Sequence, residues 1–238
     1  NSDAPYRVGF KFNWRSLAYN IRVKPRSSKV HNVEFNLDAL RALGLDIISS
    51  KPVFVTNAVH EEFADNFFSS NGLVKDEVIG LNPSGTWPTK VWYPEKFAEL
   101  AKMFPEKYKI LILWGYGKEK EEAEKLQAMI GPRALLIPEA GLKYMASLAK
   151  RCRLFVTNDT GPMHIAWVSG VNTAAIFGPT NSELQGPLSE NSIIVKNEGL
   201  PCLGCNLTQL TACPNSHKCM RDLEPTYVYD KIRSFISL

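Results

Sequence analysis

Long apolar stretches are missing from this chain of 238 residues. A membrane-spanning helix needs about 20 consecutive apolar residues, and no window of the sequence approaches that length. Residues 1–5 are polar and do not have the apolar centre of a secretory signal. We therefore expect no part of the chain to cross a bilayer and no signal peptide at its start.

An initial methionine is also missing, and the chain runs almost at once into a strand-like stretch at residues 6–12. We expect the sequence to begin within a longer protein, although a processed or trimmed terminus would look the same.

Motifs typical of nucleic-acid-binding proteins are absent as well. The formal charge is +4, and the first thirty residues are rich in bases and carry a single acid, Asp3. Such a patch meets phosphates on a lipid, a sugar or a nucleic acid, whereas a solvated basic face gives the same pattern. Because no helix-turn-helix, RRM or zinc-finger pattern accompanies the patch, we expect no nucleic-acid partner. Its basic residues are Arg7, Lys11, Arg15, Arg22, Lys24, Arg26 and Lys29.

Short apolar runs alternate with amphipathic stretches of helical length from residue 78 onward. Near-continuous apolar strands separated by helices indicate strands that are buried on both faces, as in a parallel sheet covered by helices. The pattern predicts an α/β fold with a doubly wound, Rossmann-like sheet. The predicted strands are 78–81, 109–114, 134–137, 154–157, 173–177 and 192–195, and the predicted helices are 94–104, 119–130, 142–150, 162–169 and 225–236.

Residues 1–77 are less regular. A helix is predicted over 32–43, with Gly44 as a stop signal, and a strand at 53–55. This segment is too short for a second complete Rossmann-like domain. We therefore divide the chain into the remnant of an N-terminal domain with its linker, residues 1–77, and a C-terminal Rossmann-like domain, residues 78–238.

Polar or glycine-containing loops follow four of the predicted strands, and ligands of doubly wound sheets bind outside the carboxyl ends of the strands. In the first loop, Ser84, Gly85 and Thr86 offer backbone and hydroxyl donors to a phosphate, and Lys90 offers a positive charge. The Gly-Lys-Ser/Thr triplet of a Walker A loop is missing. A surface turn with an exposed lysine is the alternative.

The second and fourth loops are each open to two explanations. Glu119 lies between a strand and a helix, where a carboxylate accepts hydrogen bonds from ribose hydroxyls or simply complements the helix dipole. Residues 177–180 contain a Gly-Pro turn beside the third loop, and a plain turn explains them equally well.

The third loop favours an anion site. Asp159 or Thr160 is a good N-cap, and Pro162 suits the first helical turn. The free N–H groups and the positive end of the helix dipole attract an anion, and Gly161 permits close approach of the backbone. A capped helix alone leaves Gly161 and His164 unexplained.

Taken in order, the four loops resemble glycosyltransferase family 9, which holds the heptosyltransferases of lipopolysaccharide inner-core synthesis. The resemblance covers the chain from residue 7 onward. It implies the GT-B architecture, in which two Rossmann-like domains face each other across a cleft and the C-terminal one binds a nucleotide sugar, typically ADP-heptose. The matching motifs are Asn82-Pro83-Ser84-Gly85 with Lys90 and Trp92, Trp114-Gly115 with Glu119, Asp159-Thr160-Gly161 with His164, and Phe177-Gly178-Pro179-Thr180.

The resemblance also implies a role for each donor-site residue. Lys90 and the loop of Ser84, Gly85 and Thr86 would contact the diphosphate, and Glu119 would hold the ribose. Asp159 would contact the sugar hydroxyls, while Thr160, Gly161 and His164 would lie along the diphosphate. The general base is an acidic residue near the start of the family's chain, which we expect upstream of Asn1, so no catalytic residue is assigned within this sequence.

The implied reaction is the inverting transfer of a heptose or related sugar to a lipopolysaccharide core acceptor. No Asp-x-Asp motif is present, so no catalytic divalent metal is expected. The implied partners are a nucleotide-sugar donor and an anionic glycolipid, and the implied location is the cytoplasm, with peripheral contact to the inner face of the cytoplasmic membrane left open. A GT-B nucleotide-sugar epimerase and a non-catalytic nucleotide-sugar-binding module are the alternatives.

Four of the five cysteines lie close together in sequence, at Cys202, Cys205, Cys213 and Cys219. A Cys-x-x-Cys pair followed by two more thiols is typical of a structural Zn or Fe site. Two disulfides or simple free thiols are the alternatives. The fifth, Cys152, is predicted to be a buried core thiol.

Overall fold

The computed structural model describes residues 3–12, 14–27, 29–117 and 119–238. Contacts divide the chain into two compact units, Asn1–Pro52 with Glu183–Gln185, and Val53–Ser182 with Gly186–Leu238. The larger unit thus begins ahead of residue 78, where the sequence pattern places the start of the C-terminal domain.

The described part of the smaller unit contains two strands, a 3-10 helix at Trp14–Ala18, one long helix and most of a short helix at Ser182–Gln185. Strands β1 (Val8–Phe10) and β2 (Ile21–Val23) pair in parallel, and helix α1 (Asn32–Arg41) follows. The ring of Phe35 in α1 stacks on that of Phe10 in β1 with 3.9 Å between centroids. The strand-like stretch and the helix predicted for this region therefore form, and the helix ends slightly earlier than predicted.

Part of the basic N-terminal stretch is engaged inside this unit. The guanidinium of Arg26 lies 2.8 Å from the carboxylate of Asp38 and 3.1 Å from that of Glu34. Arg7 donates to the carbonyls of Ala18 and Ala4. Both arginines therefore serve the local fold, and the charge of Arg26 is paired with acids of the same unit.

The larger unit is built on a six-stranded parallel sheet in the order β5-β4-β3-β6-β7-β8. The parallel α/β fold predicted from the alternation is confirmed, and the elements predicted from residue 78 onward match the observed ones to within two residues at either end. The strands are β3 (Val78–Asn82), β4 (Lys109–Ile112), β5 (Ala134–Leu136), β6 (Leu154–Asn158), β7 (Thr173–Phe177) and β8 (Ser192–Lys196). The remaining helices are α2 (Ala58–Ser70), α3 (Pro94–Met103), α4 (Glu119–Ile130), α5 (Leu142–Ala149), α6 (Gly161–Val168), α7 (Ser182–Gln185), α8 (Lys218–Arg221) and α9 (Pro225–Phe235).

The central strands are buried along their whole length because helices cover both faces of the sheet. Every residue of β3, β6 and β7 is buried, as the continuous apolar runs predict for a parallel sheet. The strand order reverses between β3 and β6, which makes their neighbouring carboxyl ends the topological switch point of the sheet.

The segment ahead of β3 differs from its prediction. Within the described part of the chain, residues 53–55 join no sheet, and Val53 and Val55 are 78% and 66% exposed. The strand predicted there is wrong. Helix α2 was not predicted, and its N-terminus is formed by a reciprocal pair of hydrogen bonds between Asn57 and His60.

Helix α2 belongs to the larger unit through its contacts with α5. The ring of Phe63 meets that of Tyr144 edge-on at 4.9 Å. Glu61 accepts hydrogen bonds from Lys150 and Arg151, both at 2.9 Å. This ion-pair cluster fixes the helix to the sheet-bearing unit and explains why that unit begins at Val53.

None of the helices among the described residues is long and apolar enough to span a membrane.

Candidate functional site

Four loops meet at the carboxyl edge of the sheet because β4, β3, β6 and β7 are neighbours in that order. Asn82 at the end of β3 pairs with Thr157 of β6, and Leu81 pairs with Ile112 of β4. Asn158 at the end of β6 pairs with Ile176 of β7. The four loops singled out in the sequence are therefore consecutive along one edge.

A cavity of about 280 Å³ opens between the first three of these loops. Six of the nine predicted donor-site residues line it, and the lining as described does not include Lys90, Asp159 or His164. The rest of its wall comes from the second loop and from the first turns of α5 and α6. The lining residues are Ser84, Gly85, Thr86, Gly115, Tyr116, Glu119, Leu142, Met145, Thr160, Gly161 and Pro162.

Asn82 shapes the first loop. Its Oδ1 accepts hydrogen bonds from the backbone N–H of Ser84 at 3.2 Å and from the Ser84 hydroxyl at 2.6 Å. Its Nδ2 donates to the hydroxyl of Thr160 at 3.3 Å. Asn82 therefore ties the first loop to the third. Sequence reasoning did not assign it a role, although a buried polar residue at the end of an apolar strand is a usable signal.

Asn158 makes a second connection between the same loops. Its Nδ2 donates to the carbonyl of Pro83 at 2.7 Å, and its Oδ1 accepts from the backbone N–H of Trp92 at 3.1 Å. Asn158 is fully buried, so these bonds satisfy a side chain that water does not reach. It too was missed as a functional residue.

Lys90 and Asp159 form a shielded ion pair beside the cavity. The ammonium lies 2.8 Å from Oδ2 of Asp159, and the two side chains are 14% and 3% exposed. Thr180 of the fourth loop donates its hydroxyl to the same carboxylate at 2.6 Å. The ammonium also lies 4.4 Å from the ring centroid of Trp87. Lys90 is therefore held in place, and the predicted alternative of an exposed lysine on a surface turn is wrong.

The N-terminus of α6 faces the cavity without a side-chain cap from its N-cap residue. Thr160 occupies the N-cap position with extended backbone, but within the described structure its hydroxyl does not cap the helix. That hydroxyl instead accepts from Asn82. Asp159, the other N-cap candidate, pairs with Lys90. Thr160 is therefore the N-cap residue, as predicted for one of the two candidates, but its side chain does not cap the helix, and the first turn of α6 borders the cavity.

Gly161 has space around it. A Cβ placed there would meet no heavy atom within 4 Å among the described residues. The protein itself thus gives no packing reason for glycine at this position. Gly178 is the contrasting case, because a Cβ there would lie 2.9 Å from the Sγ of Cys219. The fourth loop needs its glycine for packing against α8.

Glu119 opens α4 and lines the cavity. Its Oε2 accepts a hydrogen bond from the backbone N–H of Gly115 at 2.7 Å. The carboxylate therefore closes the second loop onto the helix start, and it also stands in the cavity wall.

His164 lies on the first turn of α6 and is exposed. Its Nδ1 accepts a hydrogen bond from the indole N–H of Trp167 at 3.4 Å.

The four clustered cysteines do not assemble a metal site. Cys152 is the predicted buried core thiol, and all five cysteines are free rather than joined in disulfides. Across the described residues, no group of three or more His, Cys, Asp or Glu side chains is placed to hold a metal ion. Burial and the nearby thiols at 202, 205 and 213 raise the pKa of Cys219 to about 11. The residues do not fit the predicted Zn or Fe site.

The sequence of the chain is similar to those of known heptosyltransferases. The chain is 33% identical over 163 residues to lipooligosaccharide heptosyltransferase 2 of Campylobacter jejuni, a match that covers 66% of this chain and 51% of the relative. It thus spans about half the length of the curated relatives it matches.

Solved structures show the same fold. A family 9 glycosyltransferase from Veillonella parvula superposes with a TM-score of 0.70 at 25% identity, over 81% of this chain and 56% of that one. ADP-heptose LPS heptosyltransferase II from Escherichia coli gives a TM-score of 0.74 at 20% identity, over 97% of this chain and 70% of that one. These neighbours have the GT-B-type fold implied by the sequence motifs.

The sequence model of glycosyltransferase family 9 (heptosyltransferase) matches residues 2–212, which include all four loops of the site. The chain belongs to glycosyltransferase family 9, the heptosyltransferase family.

Proposed function

We propose that this chain binds a nucleoside-diphosphate sugar, with ADP-heptose as the first candidate, and serves the inverting transfer of its heptose to a lipopolysaccharide core acceptor. One observation carries the proposal. Residues from three separate loops line a single cavity at the switch point of the sheet, with the N-terminus of α6 in its wall. Parallel α/β sheets bind nucleotides at this place.

The diphosphate is assigned to the N-terminus of α6. Backbone N–H groups and the positive end of the helix dipole favour an anion there, and the open position at Gly161 lets a phosphate approach the backbone closely. Lys90 adds a positive charge next to Thr160. In the transfer step an acceptor hydroxyl oxygen bonds to the anomeric carbon and gives up its proton to a general base, while the bond from that carbon to the diphosphate oxygen breaks. These groups stabilise the negative charge that develops on the leaving diphosphate. This arrangement is the reason no catalytic divalent metal is proposed.

The nucleoside is assigned to the other end of the cavity. Glu119 stands in the wall with a carboxylate that can accept hydrogen bonds from ribose hydroxyls, while Leu142 and Met145 supply an apolar surface for a base. The second oxygen of Glu119 is available for this role because the bond to Gly115 uses Oε2.

The sugar is assigned to the side of Asp159, as the family resemblance implies. Thr180 and Lys90 fix the orientation of its carboxylate, which leaves the other oxygen to accept from sugar hydroxyls. His164, on the same first turn of α6 as Gly161, is assigned to the diphosphate.

The acceptor is proposed to be an anionic glycolipid, which places the protein in the cytoplasm with peripheral contact to the inner face of the membrane. The basic stretch before residue 30 would favour such a contact, although Arg7 and Arg26 are engaged internally.

Calorimetric titration with ADP, ADP-heptose and UDP-glucose tests the donor assignment. ADP and ADP-heptose should bind, and Lys90→Met should weaken both by about 10- to 100-fold, since a hydrogen bond to a charged group contributes about 1.5–3 kcal/mol. Lys102→Met is the matched control because Lys102 is an exposed lysine on α3. The absence of any nucleotide binding at millimolar concentration would show that the site is assigned wrongly.

Product analysis tests the reaction. Heptose should appear on the acceptor only when donor and acceptor are both present. An altered nucleotide sugar formed without an acceptor would instead identify an epimerase.

A further inference from the structure

Thr89 joins the first loop of the site to the segment 201–219, which we name the cysteine loop. Its backbone carbonyl lies 2.7 Å from Nε2 of His217, and its hydroxyl donates to the carbonyl of Leu207 at 2.6 Å. Thr89 is only 1% exposed. Two groups of the cysteine loop therefore hold a single buried residue of the first loop.

The contact with Thr89 determines which atom of the His217 ring must carry a hydrogen. A carbonyl oxygen can only accept, so Nε2 must carry the hydrogen. In the neutral ring Nδ1 is then the acceptor, and it lies 3.3 Å from the hydroxyl of Tyr93. Both ring nitrogens are thus engaged with the stretch that follows β3.

The backbone at His217 is held in an unusual conformation. Its φ is 57°, in the left-handed region that residues with a Cβ rarely adopt. The side chain is 6% exposed. A buried histidine held in this region, with both ring nitrogens bonded, is kept there by the contact with Thr89 and Tyr93.

The contact bears directly on Lys90. Thr89 and Lys90 belong to the same single turn of 3-10 helix, Pro88–Lys90. Fixing the carbonyl of Thr89 therefore fixes the backbone from which the Lys90 side chain extends to Asp159. Without the bond from His217, one of the two contacts that fix this turn is lost, and the position of the ammonium beside Asp159 is less well defined.

We infer that His217 is a positioning residue for donor binding: through the carbonyl of Thr89, it holds Lys90 where the diphosphate of the donor is bound. The inference rests on the proposed function and adds to it a residue outside the four loops. It also assigns a role to the cysteine loop that does not depend on a metal.

Two variants of His217 distinguish loss of the hydrogen bond to Thr89 from a general effect of replacing a buried side chain. In His217→Gln the side-chain amide nitrogen reaches about as far as Nε2 and can still donate to Thr89, whereas the side chain of His217→Asn is too short. His217→Asn should weaken ADP binding by about 5- to 10-fold, as expected for the loss of one buried hydrogen bond. Binding of adenosine, which has no phosphate, should be unchanged, and His217→Gln should stay within about twofold of the parent for ADP.

A double-mutant cycle with Lys90→Met tests whether His217 affects ADP binding through Lys90. If His217 acts through Lys90, His217→Asn should change ADP affinity by less than about twofold in the Lys90→Met background. A full 5- to 10-fold loss in that background, or an equal loss of adenosine binding, would overturn the inference. If His217→Asn fails to fold, Tyr93→Phe replaces it in the cycle, because this substitution removes the hydroxyl that bonds Nδ1 and orients the ring of His217.

The cycle also separates this inference from the proposed function. If Lys90→Met leaves ADP affinity unchanged, the assignment of Lys90 to the diphosphate fails and the inference fails with it. If Lys90→Met weakens ADP binding but both His217→Asn and Tyr93→Phe do not, the proposed function stands and the positioning role alone is overturned.

Discussion

Replacing Lys90 by methionine would separate two roles of this side chain, the ion pair with Asp159 and the proposed contact with the diphosphate. The substitution keeps most of the aliphatic volume and removes the ammonium that lies 2.8 Å from the carboxylate. Asp159 is then left buried at 3% exposure with the hydroxyl of Thr180 as a remaining donor.

The expected loss of stability follows from the burial of the pair. Removing one partner of a buried ion pair destabilises a protein by about 3–5 kcal/mol, since a charge is left without compensation. The Thr180 hydrogen bond persists and Lys90 is 14% exposed, so we expect a loss of about 2–3 kcal/mol for Lys90→Met. The double variant Lys90→Met/Asp159→Asn carries no charge at the site and should regain most of that loss.

Urea unfolding followed by tryptophan fluorescence measures the stability of the parent, the two single variants and the double variant. Titration with ADP on the same four proteins measures binding. Stability should return in the double variant while ADP affinity stays about 10- to 100-fold weaker, because the charge that meets the phosphate is still missing. Equal stability of Lys90→Met and the double variant would refute the burial argument. Recovery of ADP affinity in the double variant would refute the assignment of Lys90 to the diphosphate.

Three further substitutions test the fold and the site. Burial by itself would raise the pKa of Glu61, but hydrogen bonds from Thr56, Lys150, Arg151 and Ser147 outweigh it and hold the pKa at about 2. This folded-state pKa lies below the ordinary value, so the stabilisation is present above about pH 4.5 and is lost as the pH falls towards 2. Because Glu61 is 35% exposed, we expect Glu61→Gln to lose about 1 kcal/mol at pH 7 and nothing near pH 2, measured by urea unfolding at each pH; a difference that is independent of pH would contradict this. Gly161→Ala should leave the melting temperature unchanged or slightly higher and weaken ADP binding, whereas unaltered binding would remove the argument for close phosphate approach. Gly178→Ala should lower the free energy of unfolding by about 1–3 kcal/mol, because its Cβ would overlap the Sγ of Cys219. A melting temperature equal to that of the parent would show that the neighbouring side chains move to make room for the Cβ.

Much of the fold could be read from local patterns. The apolar run at β6 and the Pro-containing start of α6 predict a strand followed by a helix, and both form almost where the pattern places them. Helix α2 was missed because its N-terminal signal, Asn57 with His60, departs from the usual Ser or Thr followed by Glu or Gln. The strand predicted at 53–55 failed because β-branched residues favour a strand only where a neighbouring strand is available to pair with them.

The loops that form the site could be predicted from the sequence, but the hydrogen bonds between those loops could not. Polar loops at strand ends are visible in the sequence, and the order of the strands makes them neighbours. The hydrogen bonds that Asn82 and Asn158 make between the first and third loops join residues more than seventy positions apart. No local pattern encodes such a contact.

The sequence by itself determined the parallel α/β fold, the four loops and the family, because each depends on short-range periodicity or on motifs that are contiguous in the chain. The tertiary structure decided what the side chains in those loops do. Asp159 resembles a helix cap in sequence, yet it pairs with Lys90 because β3 and β6 lie side by side and bring their loops together. In the same way, the cysteine loop has the spacing of a metal site, yet in the fold it holds Thr89 through His217. Both outcomes depend on which strands are neighbours, and that is decided only when the whole sheet is assembled.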